Sequence, residues 1–166
     1  WAFQYANAHY PDLDDTAVVA WALARADRAR HGPAIDRAAD WLVGMQSRDG
    51  GFAAFDADNT RMWLHSIPFA DHGALLDPPT EDVTARVATL LAVLRRPRDA
   101  AALRRALDCL LARQRPDGSW WGRWGTNHVY GTWSVLVALE HARAVADDAR
   151  LAAASDRGAD WLVADH

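Results

Sequence analysis

Cysteine, long apolar runs and alternating strand patterns are all scarce in this chain of 166 residues. The single cysteine, Cys109, excludes an internal disulfide. No apolar stretch approaches the length of about 18 residues that a membrane-spanning helix needs. Strand-like alternation of apolar and polar residues is almost absent, which favours an all-α fold. The net charge of −4 argues against nucleic acid as a partner.

Helical segments and aromatic residues are what the chain does contain. Runs rich in Ala, Leu and Arg alternate with loops that carry Gly, Pro, Asp and Trp. These runs predict six helices, at residues 16–30, 34–46, 81–95, 98–114, 131–145 and 149–164. The nine tryptophans indicate a special use for large aromatic faces. The chain begins with Trp1 and ends inside the sixth predicted helix, so we expect it to be part of a longer protein.

An internal repeat organises these helices into three copies of one unit. The odd-numbered helices match when three threonines are superposed, and the even-numbered helices match when three arginines are superposed. The threonines are Thr16, Thr84 and Thr132, and the arginines are Arg37, Arg105 and Arg157. The two sets have similar spacings, which chance similarity rarely produces.

The two kinds of helix differ in their predicted burial. The segment "TAVVAWALA" is apolar nearly all round, as in a helix enclosed by others, whereas the second helix has one polar face. Alternating inner and outer helices predict an α/α barrel, of which three pairs form about half. In such a barrel the N-termini of the inner helices gather at one end. That end would hold Asp14, Asp15, Glu81, Asp82 and Tyr130.

The outer helices and the loops after them share a further pattern of residues. Its first copy comprises Arg37, Trp41, Leu42, Gln46, Gly50 and Phe52, and its second comprises Arg105, Cys109, Leu110, Gln114, Gly118 and Trp120. Further motifs are "DLDDTA", "FDADNT", "IPFADHGALLDPPTEDVTA" and "PDGSWWGRWGTNHVYGT". Together these motifs resemble those of the squalene–hopene cyclases, which are triterpene cyclases. The repeated pattern resembles the QW repeat of that family, although Phe52 stands where Trp is usual and Cys109 fills an aromatic position, and "DLDDTA" matches the DxDDTA motif.

The resemblance implies an enzyme that cyclises squalene to hopene and related products without a metal or organic cofactor. It implies a longer chain with two α-helical barrel domains, of which residues 1–166 are the DxDD part of the catalytic barrel. We expect this part to be inactive alone. The expected partners are squalene or a similar polyprenyl chain and membrane lipid, with a homodimer possible and no nucleic acid. The full enzyme would sit on the cytoplasmic face of a bacterial inner membrane, without spanning it.

The resemblance also assigns roles to the charged residues. Asp14 is the expected proton donor, and Asp12 and Asp15 would hold and re-supply its proton. Crowded carboxylates and a dry cavity keep one carboxyl protonated at neutral pH, as protonation of an alkene requires. In "EDVTAR", Arg86 stands where the family carries a His. Asp82 and Arg86 are four residues apart on one helix, so they share a face, and Arg86 would strengthen the acid but cannot relay a proton.

Aromatic residues would stabilise the carbocations that follow protonation. By the motif match these are Phe3, Phe55, Phe69, Trp124 and Tyr130, with Phe55 where a Tyr is common. The repeat tryptophans Trp41, Trp120 and Trp161 are expected to be structural. His72 lies in a loop near the expected cavity, with no role assigned.

Several other interpretations remain open. Asp14 or Asp15 could simply cap the first helix, and Asp82–Arg86 could be a surface pair. "DADN" resembles part of a calcium loop but lacks its Gly and distal Glu. The alternative functions are another class II terpene cyclase, a zinc-dependent protein prenyltransferase β-subunit, a non-catalytic helical-repeat module and an α/α-barrel glycosidase. The apolar inner helices argue against the glycosidase, and the position of Cys109 argues against the prenyltransferase.

Overall fold

The computed structural model describes residues 1–4, 7, 9–61, 63–64 and 76–164 of the chain. Two residues of the sequence predictions, Phe69 and His72, lie outside these ranges.

Helices account for all the regular elements in the described ranges, as the sequence predicted. They are α1 (Leu13–Gly44), α2 (Glu81–Leu94), α3 (Ala100–Ala112), α4 (His128–Arg143) and α5 (Ala149–Ala164), with a short 3₁₀ turn at Pro97–Asp99. The loop from α1 pairs with the start of α2 through an isolated bridge between Phe52 and Thr80. The predicted boundaries of α2, α3 and α5 agree with these ranges to within two residues.

The two helices predicted at residues 16–30 and 34–46 are present, but the break between them was predicted at the wrong place. They form the two parts of α1, which is kinked at Asp27, where φ is −161° and ψ is 90°. The Asp27 carboxylate accepts a hydrogen bond from the Arg30 backbone N–H at 2.9 Å and so caps the second half of α1. Gly32 and Pro33 do not end the helix. The φ of a proline suits a helix, so Pro33 continues α1 with one backbone hydrogen bond fewer.

The helices pack as an inner row and an outer row. Within the inner row, α2 lies between the first half of α1 and α4, and within the outer row α3 packs behind α2 and α5 behind α4. Nearly every residue of α2 is buried. The first half of α1 is less enclosed than its sequence predicted, since Val18 and Val19 are only half-buried and Ala22 is exposed. This helix borders the row, whereas α2 has neighbours on both sides.

The repeat is visible as hydrogen bonds that recur between successive copies. The Gln46 side-chain amide donates to the carbonyl oxygens of Gly50 and Ala102, both at 2.9 Å. Its oxygen accepts a hydrogen bond from Arg105 of the next outer helix. The second copy has the same three contacts around Gln114, with Gly118, Ala154 and Arg157. Each glutamine therefore joins a loop to the outer helix that follows.

The superposed threonines also make equivalent contacts. The Thr84 hydroxyl accepts a hydrogen bond from the Phe52 N–H at 2.9 Å and lies 3.4 Å from the Phe52 carbonyl oxygen, to which it donates. The other copies place Thr132 in the same way against Trp120 and Thr16 against Trp1. The side chain of Trp120 is fully buried, and its indole N–H donates to the Leu110 carbonyl at 2.7 Å. These contacts attach the loops to the N-terminal turns of the inner helices.

A Gly118→Ala substitution in the full-length protein is expected to lower its stability by about 2 kcal/mol or more. Gly118 has φ +95°, and a Cβ there would lie 2.5 Å from the Arg157 carbonyl oxygen. Gly44→Ala is the matched control, because Gly44 ends α1 with nothing within 4 Å of an added Cβ. Thermal unfolding of both variants tests this. A Gly118→Ala protein as stable as Gly44→Ala would contradict the close approach.

Candidate functional site

The N-terminus of α1 is capped by Asp12. Its carboxylate accepts hydrogen bonds from the Asp15 N–H at 2.7 Å and from the Phe3 N–H at 2.8 Å. Because Asp12 fills this role, neither Asp14 nor Asp15 caps the helix. The side chains of Asp14 and Asp15 are therefore available for other contacts.

Asp14 faces Arg86 across the interface between α1 and α2. Asp14 Oδ1 and Arg86 Nε are 3.6 Å apart, and each is a buried atom with no hydrogen-bond partner among the described residues. Burial raises the pKa of Asp14 to about 6, Arg86 opposes this rise, and the carboxyls of Asp82, Asp15 and Asp12 add to it. Asp14 therefore holds its proton to a higher pH than an exposed aspartate does. A carboxyl with a pKa of about 6 is still mostly ionised at pH 7, so in this chain the protonated form that the sequence predicted for neutral pH is the minor one.

Asp82 is a structural anchor of the site rather than part of a surface pair. It is 1% exposed, and one carboxylate oxygen accepts hydrogen bonds from the Thr80 hydroxyl at 2.5 Å and the Val83 N–H at 2.9 Å. The other oxygen accepts from the Trp124 N–H at 3.0 Å. Asp82 thus connects the start of α2 to the loop that precedes α4.

Arg86 connects all three inner helices. Besides the ion pair with Asp14 of α1, its Nη2 donates a hydrogen bond to the Tyr130 hydroxyl of α4 at 2.9 Å. The guanidinium carbon lies 5.6 Å from the centre of the Tyr130 ring and 5.2 Å from that of Trp133. The gathering of Asp14, Asp82 and Tyr130 at one end of the inner row, expected from the repeat, is therefore present. Trp133 was not among the predicted site residues.

The predicted aromatic residues differ in their surroundings. Phe55 and Trp124 pack partly buried against the core. The Phe55 ring also stacks on Tyr10, with centroids 4.9 Å apart. Phe3 is 88% exposed in this chain, although its backbone N–H binds Asp12. Tyr10 was missed because it lies in a loop that shows no periodic pattern, and its nearness to the DxDD motif was the available signal.

Asp77 and Arg123 connect the loops of Phe55 and Trp124, and the sequence did not single out either one. The Asp77 carboxylate accepts a hydrogen bond from the Phe55 N–H at 2.7 Å and lies 3.6 Å from Arg123 Nη1. Arg123 also donates to the Leu76 carbonyl at 3.1 Å, and its guanidinium carbon is 5.4 Å from the centre of the Trp124 ring. Burial raises the pKa of Asp77, while the Phe55 N–H and Arg123 oppose the rise.

Within the described ranges, no three His, Cys, Asp or Glu side chains are grouped so that they could hold a metal ion. Among the helices that the structure describes, none combines the length and hydropathy that crossing a bilayer requires.

Comparison with known proteins identifies the family to which the chain belongs. The family model of the squalene-hopene cyclase C-terminal domain matches residues 1–166. The chain belongs to the squalene–hopene cyclase family. The chain is 56% identical to the squalene-hopene cyclase of Schizosaccharomyces japonicus over 139 residues, which are 84% of this chain and 21% of that protein. It is 52% identical to that of Bradyrhizobium diazoefficiens, over 98% of this chain and 25% of that protein.

The solved structures include a more distant relative of this squalene–hopene cyclase family member. The ent-copalyl diphosphate synthase from Streptomyces platensis superposes with a TM-score of 0.70 at 27% identity, covering 98% of this chain and 28% of that chain. The predicted α/α-barrel fold is therefore confirmed. The chain spans about a quarter of the length of the two squalene-hopene cyclases named above.

Proposed function

We propose that the full-length protein is a cyclase that protonates squalene through Asp14 and closes it to hopene- or hopanol-type triterpenes. The observation that carries this proposal is the half-buried Asp14 carboxyl, with a pKa of about 6, paired with Arg86 and surrounded by three further carboxyls. An acid that keeps its proton until an alkene reaches it needs this combination of burial and like charge. Family membership supports the assignment, since relatives named squalene-hopene cyclase match nearly the whole chain.

The initiating step is a proton transfer from a carboxylic acid to an alkene. The Asp14 O–H bond breaks, the π pair of a terminal alkene forms the new C–H bond, and the other alkene carbon becomes cationic. Asp14 is left as a carboxylate, whose charge Arg86 stabilises from 3.6 Å. Ring closure moves the cation along the chain until a proton is lost or water adds. Either ending releases one proton, which balances the proton that Asp14 supplied.

The aromatic residues would stabilise the travelling cation and exclude water. A well-placed ring contributes roughly 0.5–2 kcal/mol to a neighbouring cation. Phe55 and Trp124 are the best placed, because Asp77 and Asp82 hold their backbone N–H groups. Phe3, Phe69 and Tyr130 are also proposed to stabilise the cation, because they match the family's motifs.

A second candidate is another class II terpene cyclase. The superposition on an ent-copalyl diphosphate synthase favours it, and so does 41% identity to the dammaradiene synthase of Dryopteris crassirhizoma. The higher identities to squalene-hopene cyclases favour squalene as the substrate. Membership of the family sets aside the prenyltransferase and glycosidase alternatives.

We also propose a membrane location and a biosynthetic pathway for the full-length enzyme. The full-length enzyme would take squalene from lipid on the cytoplasmic face of a bacterial inner membrane, as a monotopic protein of hopanoid biosynthesis that could form a homodimer. The recurring contacts of Gln46 and Gln114 support the assignment of QW repeats.

Substrate and product are tested by incubating the purified full-length enzyme with squalene in detergent. Gas chromatography with mass detection is expected to show hopene or hopanol. Parallel incubations with geranylgeranyl diphosphate test the diterpenoid alternative, and heat-denatured enzyme controls for spontaneous cyclisation. Conversion of the diphosphate with none of squalene would overturn the proposal in favour of the second candidate.

Asp77→Asn is expected to lower squalene turnover about tenfold and to increase the share of incompletely cyclised products. An uncharged amide weakens the hold on Arg123 and on the Phe55 N–H, so the two rings are less well placed, and a contact of this kind is worth about 1–2 kcal/mol. Asp56→Asn is the control, since Asp56 lies in the same loop but is exposed. An unchanged product distribution in Asp77→Asn would contradict a role in placing the rings.

A further inference from the structure

Three groups hold the Arg86 side chain, and one of them, the Trp133 ring, takes no part in the proposed reaction. Its Nε is 3.6 Å from Asp14 Oδ1, and its Nη2 donates to the Tyr130 hydroxyl at 2.9 Å. The third group is the Trp133 ring, whose centre lies 5.2 Å from the guanidinium carbon. At this separation a guanidinium is attracted to the ring, and Arg stacks on aromatic faces more readily than Lys does.

Helix α4 presents Tyr130 and Trp133 together. They are three residues apart, so they share a face, and their ring centres are 5.9 Å apart. The two residues between them fasten the helix to the preceding loop. A Cβ on Gly131 would lie 2.5 Å from the Gly122 nitrogen, and the Thr132 hydroxyl accepts a hydrogen bond from the Trp120 N–H at 2.9 Å. Both rings therefore stand on a turn that is fixed against its neighbours.

We propose that Trp133 is a positioning residue that, together with Tyr130, clamps the Arg86 guanidinium beside Asp14. An arginine side chain has many rotamers, and a single long ion pair does not select one of them. Two rings restrict the guanidinium to the position from which it can stabilise the carboxylate that Asp14 becomes. The catalytic effect of this clamp rests on the proposed function. The clamp itself is a packing contact, which can be measured without catalysis.

The charges around Asp14 determine what losing the clamp would do. Asp12 and Asp15 come from the start of α1 and Asp82 from α2, and all three raise the pKa of Asp14, whereas Arg86 lowers it. Tyr130 of α4 faces Arg86 through its hydroxyl. If Arg86 turns away, burial and the three carboxyls act on Asp14 without an opposing charge, so Asp14 becomes a weaker acid that keeps its proton to a higher pH.

The test uses full-length enzyme carrying Trp133→Ala, Trp133→Phe, Arg86→Gln and the double change Trp133→Ala with Arg86→Gln. Trp133→Ala is expected to lower kcat about threefold to tenfold with little change in KM, and to move the basic limb of the pH profile upward. Trp133→Phe is expected to restore most of the activity, because it keeps a ring. The double variant is expected to be no slower than Arg86→Gln alone, since Trp133 acts through Arg86.

A second readout does not depend on catalysis. Melting temperatures of the unaltered enzyme, Trp133→Ala, Arg86→Gln and the double variant form a double-mutant cycle, and the loss in the double variant is expected to be smaller than the sum of the two single losses. Trp133 is 47% exposed in this chain, and Trp133→Phe controls for the volume that Trp133→Ala removes. Val129→Ala, at another exposed apolar residue of α4, is the control and is expected to leave kcat unchanged.

Two results would overturn the clamp: additive losses in melting temperature, or a Trp133→Ala enzyme whose pH profile does not move. Failure of the proposed function looks different. Either squalene would not be converted or folded Asp14→Asn would stay active, while the coupling of Trp133 and Arg86 in melting temperature would persist.

Discussion

Replacing Asp14 with Asn in the full-length enzyme is expected to reduce squalene cyclisation by about 10³-fold or more. The amide has the shape of the carboxyl but has no proton acidic enough for an alkene. The fold should be retained, because Asp12 and not Asp14 caps α1. Substrate binding should change little, since the amide occupies nearly the same volume as the carboxyl. The measurement is the initial rate of product formation from squalene in detergent.

Glu140→Gln is the matched control for this substitution. It also converts a carboxylate into an amide, but on an exposed position of α4, and its rate should equal that of the unaltered enzyme. A melting temperature within a few degrees of the unaltered enzyme would show that Asp14→Asn is folded. If folded Asp14→Asn retained a tenth of the activity, Asp14 could not be the proton donor.

Arg86→Gln is expected to lower kcat tenfold or more while leaving KM nearly unchanged. Removal of the guanidinium takes away the charge that lowers the pKa of Asp14, so that pKa rises above about 6. The protonated form is the active one, so activity falls as pH increases through this pKa. The basic limb of the kcat profile therefore moves to higher pH. At the same time the weaker acid transfers its proton more slowly, by up to about tenfold for each pKa unit.

Arg86→Lys separates charge from geometry. Lys keeps a positive charge but lacks the planar group that binds the Tyr130 hydroxyl and packs against Trp133, so its kcat should lie between those of the unaltered enzyme and Arg86→Gln. If Arg86→Gln left both turnover and the pH profile unchanged, Arg86 would be only a structural contact between helices.

The repeat made most of the fold predictable, because the residues that recur in sequence make the same local contacts. Thr84 and Thr132 bind the loops before their helices, and Gln46 and Gln114 bind the loops after theirs. The position of the break between the first two predicted helices was not predictable in the same way. The sequence drew attention to Gly32 and Pro33, whereas the break depends on the Asp27 side chain turning back to cap the chain that follows it.

The pairing of charges at the site was only partly predictable. Helical spacing places Asp82 and Arg86 on one face, but Arg86 pairs with Asp14, and Asp82 binds backbone and hydroxyl groups. Sequence spacing predicts neighbours within one helix. Which carboxylate pairs with Arg86 depends instead on which side chain of α1 lies opposite α2. Asp77 was missed for the same reason, because its partners are in other loops.

The sequence by itself determined the all-α class, the alternating inner and outer helices, and the position of three carboxyls at the start of an inner helix. These follow from periodicity and repetition, which are properties of the chain in one dimension. Only the tertiary structure decided that Asp12 is the cap, that Asp14 is the carboxyl paired with Arg86, and that Tyr130 and Trp133 surround that arginine. The reason is physical, since burial and charge act through space, and the pKa of Asp14 depends on groups from two helices packed together.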